Sequence, residues 1–563
     1  MPNTSSPSGS TFLFTDVSKE DRVCSRPAPL LFFLYISDFW WRWRWSSPQT
    51  HSWSWVAQAR RPCSVPAFPA MENGVHAPPH VAILPSAGVG HITPLLEFGR
   101  CLVSLHGLRA TVFLLPGDTS SANLLSSLPP LPDGLRLLEL PSAEATDPIP
   151  DDALVETRIS LALRASLPSL RDALGDASSP PPAALVVDIF GTDFFDVARD
   201  LHVPAYVFFT SSAALLALLL HSPALDREVT GEYVDLREPI RVPGCLPILP
   251  ADVVDPMLDR TNERYRWYLH HCSRLPLADG ILLNTVEEID RRQIAAMRED
   301  PAMAGLPTPP LYPVGPVIKS ESTTGHPKRQ HECLAWLDLQ PPTSVLYVSF
   351  GSGGTHSAEQ TSELAWGLEL SGQRFLWVIR RPVGGDSAAA FFASSKADPD
   401  DPAAYLPEGF TKRTEGRGFL LPSWAPQVEI LGHPAVGGFL SHGGWNSTLE
   451  SLARGVAMAV WPLYAEQRMN AARLEEELGV AVRVRRTEAA GGGGGLVRRE
   501  EVERVARLLL DEGCEEGKAV KSKAAELRQC FARAVEAGGS SYRSMAAAVG
   551  QWKGRAGALS NVQ

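Results

Sequence analysis

After an N-terminal stretch without periodicity, short apolar runs alternate with longer segments whose apolar residues recur at helical spacing. The run at 81–85 is followed by a glycine-rich turn and a predicted helix over 91–106, which Gly107 is expected to end. Two further runs, at 110–115 and 184–188, predict buried strands. Apolar strands that alternate with helices are typical of a parallel sheet covered on both faces.

The same pattern restarts after a polar stretch at residues 319–329, which is typical of a linker. Low-complexity segments near 386–404 and 491–495 predict solvent-exposed loops. The predicted strands of this second half are residues 344–350, 374–380, 436–441 and 458–461. We therefore predict an α/β protein with two doubly wound, Rossmann-like domains that face each other across a cleft, the usual ligand position in such sheets.

Residues 1–70 have neither helical nor strand periodicity, although they hold six of the fourteen tryptophans. Their apolar stretch at 30–36 is much shorter than the about 20 residues that a membrane span needs. Domain-like order begins only after Met71, which would serve as a start. We expect a disordered extension or an upstream start that is not used; an organelle-targeting or interaction segment is the alternative.

Composition narrows the class of protein. At 563 residues the chain is too long for one compact core. Its net charge of −11 argues against nucleic acid as the main partner, because binding phosphates needs a basic face. The eight cysteines are scattered and contain no CxxC pair, which favours a reducing compartment, the cytoplasm.

Two glycine-rich turns follow predicted strands of the second half. The first, FGSGGT at 350–355, would let backbone N–H groups approach an anion at the start of a helix. A plain tight turn explains this motif equally well.

The second turn, SHGGWNSTLE at 441–450, brings a histidine, two hydroxyls, an amide and several N–H groups to the position where a diphosphate would bind. Asn446 or Ser447 is expected to cap the following helix, and Glu450, one helical turn later, is suitably placed for a ribose hydroxyl. A helix cap together with a core tryptophan would explain Asn446 and Trp445, but it would leave the preceding histidine and two glycines unexplained.

These residues belong to a longer motif. The 44 residues at 424–467 begin with WAPQ, end with YAEQ and resemble the signature box of plant UDP-dependent glycosyltransferases. The resemblance extends over about 78–552 and departs at Ala457, where the family usually has proline. LPSAGVGH at 84–91 and VDIFGTD at 187–193 are most similar to the hydroquinone and monolignol glucosyltransferase group.

The resemblance implies a two-domain GT-B fold and an inverting, metal-independent enzyme. Such an enzyme would transfer glucose from UDP-glucose to a hydroxyl of a small aromatic acceptor and give a β-O-glucoside. UDP-glucose would be a co-substrate, and no cofactor is expected. Together with the pattern along the chain, the resemblance predicts an extension at 1–77, an acceptor-binding domain at 78–317, a linker at 318–331, a UDP-sugar-binding domain at 332–537 and, at 538–556, a helix returning to the first domain.

The resemblance also implies a donor site. The implied residues are Trp424, Ala425 and Gln427 for uracil, Glu450 for ribose, Ser352, His442, Asn446 and Ser447 for the diphosphate, and Trp445, Glu466, Gln467 and Thr210 for the sugar. An aromatic face suits a planar base, and a carboxylate suits vicinal hydroxyls. In the family a glutamine at the end of the box is associated with glucose, so Gln467 indicates UDP-glucose.

His91 and Asp188 are the candidate catalytic pair. His91 lies in the first turn of a helix, and Asp188 ends a neighbouring strand, so both side chains are expected at the same cleft mouth. The carboxylate would fix the imidazole tautomer while the histidine takes the proton of the acceptor hydroxyl. Taken alone, a surface histidine and a strand-end cap explain the two residues better; the signature box favours catalysis. Asp193 and Asp196 are alternatives, but Asp188 ends the apolar run and matches the family position.

Metal binding is not expected, because Asp398-Pro399-Asp400 lies in a predicted loop rather than at a strand end. A nicotinamide oxidoreductase is disfavoured, since G-x-G-x-x-G needs a glycine where Thr93 stands. A catalytically silent UDP-sugar-binding protein and a UDP-sugar epimerase remain as alternatives.

The expected protein is a monomer without stable membrane insertion. Its acceptor pocket is expected to use Phe190, Phe194, Trp267 and Tyr268.

Overall fold

The computed structural model describes residues 78–116, 128, 130–142, 149–150, 152–176, 180–300, 303, 308–319, 328–382, 405–487 and 495–560. The predicted extension at 1–77, the loop at 386–404 with its Asp398-Pro399-Asp400, the centre of the predicted linker and nearly all of the predicted loop at 491–495 lie outside the described residues.

Within the described residues, the first half of the chain forms a parallel sheet of seven strands in the order β3-β2-β1-β4-β5-β6-β7. Its strands are β1 His80–Leu84, β2 Arg109–Leu114, β3 Leu135–Glu139, β4 Ala184–Val187, β5 Ala205–Phe209, β6 Gly280–Leu283 and β7 Leu311–Pro313.

The second half forms its own parallel sheet, with six described strands in the order β10-β9-β8-β11-β12-β13. Its strands are β8 Val345–Ser349, β9 Arg374–Ile379, β10 Gly418–Pro422, β11 Val436–Ser441, β12 Met458–Val460 and β13 Ala481–Arg483.

Helices connect the strands and cover the two sheets. In the described part of the first domain they are α1 Val89–His106, α2 Val155–Ala165, α3 Leu167–Leu174, α4 Phe194–Asp200, α5 Ala213–Glu228, α6 Glu263–Arg274 and α7 Glu287–Glu299. In the rest of the described chain they are α8 Lys328–Asp338, α9 Ala358–Ser371, α10 Phe410–Arg413, α11 Gln427–Gly432, α12 Trp445–Arg454, α13 Gln467–Ala472, α14 Arg499–Leu510, α15 Glu515–Val535 and α16 Ser540–Ser560.

The predicted fold class is confirmed, and the seven predicted strands match observed strands to within one residue at each end. The predicted first helix begins two residues earlier than expected, at Val89, and Gly107 ends it in the left-handed conformation. The strands that sequence patterning did not specify are β3, β5, β6, β7, β10 and β13.

Each sheet reverses its strand order at one point. In the first sheet the reversal lies between β1 and β4, where Leu84 pairs with Val187. In the second it lies between β8 and β11, where Ser349 pairs with Ser441. The connections leave these neighbouring strands in opposite directions and open a crevice at their carboxyl ends, which is where open α/β sheets bind ligands.

The last helix, α16, packs on the first domain. Trp552 is 1% exposed and meets Tyr206 edge-on at 5.3 Å between ring centroids. Gln551 accepts a hydrogen bond from the Tyr206 hydroxyl and donates one to the Tyr312 hydroxyl, at 3.1 and 3.0 Å. Within the described residues, none of the helices combines the length and apolar character needed to cross a membrane.

Candidate active site

The turns after β1 and β4 bring His91 and Asp188 together at the crevice of the first sheet. Gly88, at φ 102°, lets the chain leave β1 and enter α1, so that His91 lies in the first turn of that helix. Nδ1 of His91 lies 3.1 Å from Oδ2 of Asp188, and the two side chains are 18% and 0% exposed. The histidine therefore faces the cleft while the carboxylate behind it is fully buried.

Asp188 is held by several donors. Oδ2 accepts hydrogen bonds from the Ser86 backbone N–H at 2.8 Å and from its hydroxyl at 2.5 Å, and Oδ1 accepts one from the Phe190 N–H at 3.1 Å. Burial raises the pKa of Asp188, but His91, by hydrogen bonding and charge, and Ser86 together bring it below its usual value. The carboxylate is therefore ionised and fixed in orientation. Ser86 was not predicted to take part.

The two alternative aspartates lie elsewhere. Asp193 contacts His270 at 2.6 Å, and Asp196 contacts Arg199 and Arg274 at 2.5 and 2.6 Å. The structure thus brings Asp188, rather than its two neighbours, to His91.

Aromatic side chains surround the space in front of His91. Phe190 meets the His91 ring edge-on at 5.5 Å, and Trp267 and Tyr268 of α6 line the same cavity. The prediction for Phe194 was wrong, because α4 turns this residue into the core of the first domain, where it is 0% exposed. Three of the four predicted wall residues therefore form the wall.

His271 also lines this cavity, although the sequence analysis did not single it out. Its Nε2 lies 3.0 Å from the Ser160 hydroxyl and its Nδ1 lies 2.8 Å from the Thr192 hydroxyl. Burial and then the charge of His270 lower the pKa of His271 to about 3. A neutral ring with both nitrogens engaged acts as a rigid part of the wall; it stacks on Trp267 at 5.8 Å.

On the opposite side, the turns after β8 and β11 enclose His442. A Cβ atom at Gly351 or at Gly444 would lie 2.4 or 2.5 Å from Nε2 of His442, so both positions need glycine to admit the ring. Burial and the charge of Arg380 lower the pKa of His442 to about 4. The glycines of both motifs therefore create one pocket for a neutral imidazole at the crevice of the second sheet.

Arg380 directly follows β9. The sequence predicted it to be part of a strand but gave it no role in the site. Its guanidinium donates hydrogen bonds to the backbone carbonyl groups of Ser352 and Ser423. Burial lowers the pKa of Arg380, although the charge remains in this part of the cleft. The signal in the sequence was an arginine at the carboxyl end of a buried strand.

The helix cap predicted for Asn446 or Ser447 was wrong. Helix α12 begins at Trp445, its N-cap is Gly444, and no side chain caps it. The Asn446 amide instead crosses the cleft and donates a hydrogen bond to the Gly90 carbonyl at 2.7 Å. This contact ties the second domain to the loop just before His91.

Glu450 lies one turn farther along α12 and is bonded to Gln427. The Gln427 amide donates hydrogen bonds to Glu450 at 2.7 Å and to the Ser447 hydroxyl at 2.9 Å, and it accepts one from the Tyr347 hydroxyl at 3.2 Å. Burial raises the pKa of Glu450 to about 7, with the Gln427 hydrogen bond acting in the opposite direction. Gln427 therefore orients the carboxylate that was predicted to bind ribose.

The end of the signature motif forms another wall. Oε1 of Gln467 accepts hydrogen bonds from the N–H groups of Leu463 and Tyr464 at 2.8 and 3.1 Å. Glu466 accepts one from the Ser211 hydroxyl of the first domain at 3.1 Å. The Gln467 amide is thus fixed by its own loop, and Glu466 is fixed across the cleft.

The predicted residues line two connected lobes of one cleft. The inner lobe, about 1340 Å³ with its open mouth, and the outer lobe, about 750 Å³, are joined where both touch Gly90, Gly351, Ser352, Asn446 and Ser447. The predicted residues of the inner lobe are His91, Thr210, His442, Trp445, Glu466 and Gln467, and those of the outer lobe are Trp424, Ala425, Gln427 and Glu450. Every predicted donor residue lies on this cleft.

Among the described residues, no group of three or more His, Cys, Asp or Glu side chains is arranged to hold a metal ion.

Trp445 donates its indole N–H to the Asn284 carbonyl across the domain boundary at 2.8 Å. Trp424 at the outer lobe is 41% exposed, as expected of a surface on which a planar ring can stack.

Comparison with known proteins identifies the family. The sequence profile of the family described as UDP-glucoronosyl and UDP-glucosyl transferase matches residues 303–491. UDP-glycosyltransferase 72B1 of Arabidopsis thaliana is 46% identical over 477 residues, which is 84% of this chain and 96% of that protein. The chain belongs to the plant UDP-glycosyltransferases. Hydroquinone glucosyltransferase of Rauvolfia serpentina, another member, is 44% identical over 85% of this chain and 98% of its own length.

A solved glycosyltransferase structure agrees with the fold. Phytolacca americana UGT2, complexed with UDP-2fluoro-glucose and pterostilbene, matches with a TM-score of 0.73 and 41% identity. The match covers 84% of this chain and 99% of that one. The predicted GT-B fold and the predicted enzyme class, a UDP-glycosyltransferase, are therefore confirmed.

Proposed function

We propose that this glycosyltransferase transfers glucose from UDP-glucose to a hydroxyl of a small phenolic acceptor and inverts the anomeric configuration to give a β-O-glucoside. The observation that carries the proposal is the order of residues along the cleft. Trp424 and Glu450 lie in the outer lobe, Ser352, Asn446 and Ser447 lie at the junction, and His91 lies in the inner lobe. This order matches that of base and ribose, diphosphate, and reacting sugar with acceptor.

His91 acts as the general base. The acceptor hydroxyl lies between the aromatic wall and the imidazole, which takes its proton as the oxygen attacks the anomeric carbon. Asp188, 3.1 Å behind the ring, holds the tautomer and balances the positive charge that develops on the imidazole. Attack from the face opposite the leaving UDP produces the β-linkage.

The leaving diphosphate is stabilised by neutral donors and by the cationic side chain of Arg380. His442 contributes a ring N–H, the turns after β8 and β11 contribute backbone N–H groups, and the Arg380 guanidinium adds positive charge nearby. This arrangement needs no metal ion and no cofactor. Glu466 and Gln467 bind the glucose hydroxyls.

The relatives support the choice of donor and acceptor. One is named hydroquinone glucosyltransferase, and the structure of another was determined with UDP-2fluoro-glucose and pterostilbene. The inner lobe of this chain, lined by Phe190, Trp267 and Tyr268, has the apolar walls that an aromatic acceptor needs. We expect a monomer that works in the cytoplasm, where the buried thiol of Cys272, which forms no disulfide, stays reduced.

An activity assay separates this proposal from its alternatives. The protein is mixed with UDP-glucose and a phenol in excess chelator, and UDP, glucoside and UDP-galactose are quantified. We expect UDP and glucoside in equal amounts. No turnover would indicate a binding protein, UDP-galactose formed without acceptor would indicate an epimerase, and activity lost to chelator but restored by magnesium or manganese would contradict metal independence.

A further inference from the structure

The segment at 463–467, which forms the sugar end of the cleft, has an unusual backbone. Ala465 is not glycine, yet its φ of 56° lies in the left-handed region. A residue with a side chain keeps this conformation only where its surroundings impose it. Here both polar backbone groups of Ala465 are hydrogen-bonded to the other domain.

Asp255, at the start of the 3-10 turn Asp255–Leu258, pairs with both polar backbone groups of Ala465. The Ala465 N–H donates to Oδ2 of Asp255 at 2.8 Å, and the Asp255 N–H donates to the Ala465 carbonyl at 3.2 Å. The aspartate therefore fixes the orientation of the peptide groups on both sides of Ala465.

The second carboxylate oxygen of Asp255 holds Arg468, the residue that directly follows the segment. Arg468 contacts Oδ1 at 2.5 Å and donates to the Val253 carbonyl at 2.9 Å. The side chains of Asp255 and Arg468 are only 14% and 22% exposed, so water weakens this pair less than it would a surface pair. Glu466 and Gln467 lie between these two fixed points.

We propose that Asp255 is a positioning residue for sugar recognition, which it controls from the acceptor domain by holding Ala465 and Arg468. The inference rests on the proposed function, in which Glu466 and Gln467 bind the glucose. The Gln467 amide is oriented by the N–H groups of Leu463 and Tyr464, so its direction depends on the backbone path that Asp255 fixes. Recognition of the sugar thus needs both domains.

Asp252 provides a matched control. It lies three residues earlier and forms a two-point ion pair with Arg483 of β13, including one contact of 3.0 Å between Nη1 and Oδ2. This pair crosses the same domain boundary, and in the described part of the chain neither partner has a hydrogen bond or ion pair to residues 463–467. Changing Asp252 therefore removes a comparable ion pair without releasing the sugar segment.

The test compares wild type, Asp255→Ala, Asp255→Asn and Asp252→Ala for binding of UDP-glucose, UDP-galactose and UDP, and for glucose transfer. We expect Asp255→Ala to weaken UDP-glucose binding by about tenfold and to reduce discrimination against UDP-galactose, with UDP binding nearly unchanged. Asp255→Asn keeps an oxygen that can accept from the Ala465 N–H, but it cannot balance the charge of Arg468. Its loss of UDP-glucose affinity should therefore lie between those of wild type and Asp255→Ala. Asp252→Ala should match wild type in both binding and discrimination.

Equal losses in the Asp255→Ala and Asp252→Ala variants would overturn the inference, because they would indicate a general weakening of the interface. A parallel loss of UDP affinity, or wild-type discrimination in Asp255→Ala, would also overturn it. If thermal melting shows that Asp255→Ala does not fold, Asp255→Asn decides, and wild-type discrimination there counts against the inference. A wild-type protein that transferred no glucose would instead overturn the proposed function on which the inference rests.

Discussion

At the scale of single residues, the cleft contains buried ionisable groups whose environments differ. Asp188 is held ionised by Ser86 and His91, whereas burial keeps His442 neutral and raises the pKa of Glu450 to about 7. The states of Asp188 and His442 suit their proposed tasks, since the base needs an anionic partner and a neutral imidazole donor avoids the cost of a buried cation.

The role of His91 predicts a loss that depends on the acceptor. His91→Ala should lower turnover by about 10²–10⁴-fold, the usual contribution of positioned proton transfer, while UDP-glucose binding hardly changes. The fall in turnover should be smaller with a nitrophenol as the acceptor than with unsubstituted phenol, because a nitrophenol is already partly ionised when it binds. Asp188→Asn should also lose activity because it no longer controls the tautomer. Steady-state rates with both phenols check this, and equal losses for the two acceptors would exclude His91 as the base.

Glu450 predicts a pH dependence of donor binding. Ribose hydroxyls donate to a carboxylate, so binding favours the ionised form, and affinity for UDP-glucose should rise as the pH increases through about 7 and then level off. UDP-glucose is the suitable probe because its phosphates do not titrate in this range. Calorimetry can measure the affinity for UDP-glucose across pH 5.5–8.5, a window that extends roughly 1.5 units to either side of the Glu450 pKa. In Glu450→Gln this dependence should disappear; its persistence would assign it to another group.

At the scale of elements, the turns after β1, β4, β8 and β11 carry the residues of the site. The position of these turns could be predicted from the sequence. Apolar runs give the strand ends, and chemistry-bearing residues at those ends meet in one crevice. The helix cap was mispredicted because Asn446 has a partner, Gly90, that is 356 residues away. Phe194 was misplaced because the direction of a side chain on α4 depends on how that short helix packs.

The glycine turns predict a specific sensitivity to a single methyl group. In Gly444→Ala the added Cβ would meet His442 at 2.5 Å, so UDP binding should weaken roughly tenfold or more as the ring is displaced. Gly432→Ala is the matched control, since its Cβ would make only ordinary contacts, at 3.7 Å and beyond, with Arg454. UDP titrations of both variants measure the difference. Unchanged affinity in Gly444→Ala would show that the His442 pocket does not bind the diphosphate.

At the scale of the whole molecule, pairs between distant parts of the chain hold the two domains together, and sequence patterning could not predict them. Ser211 and Glu466 are separated by 255 residues and Asp255 and Ala465 by 210. Each residue is unremarkable in its own segment, and the contact exists only once both domains have folded and met. The resemblance to a family predicted a set of donor residues but not the groups that orient them from the opposite domain.

One of these pairs is buried and should matter for stability. Arg473 contacts Asp290 of α7 at 2.7 Å, and their side chains are 4% and 0% exposed. Arg473→Met would leave the carboxylate buried without its partner, which typically costs about 3–5 kcal/mol. Asp200→Asn, which removes an exposed pair with Arg171, should cost about 1 kcal/mol or less. Chemical denaturation of both variants measures the change in the free energy of unfolding. Equal, small decreases would mean that the buried pair does not hold the two domains together.

The central claim is that the cleft transfers glucose, with inversion, to an aromatic hydroxyl. The most direct measurement follows UDP-glucose and a phenol by nuclear magnetic resonance in the presence of the purified protein. The account predicts one aryl β-glucoside for each UDP released and no consumption of UDP-glucose without the phenol. An α-glucoside, a different sugar nucleotide, or UDP release that leaves the phenol unchanged would contradict it.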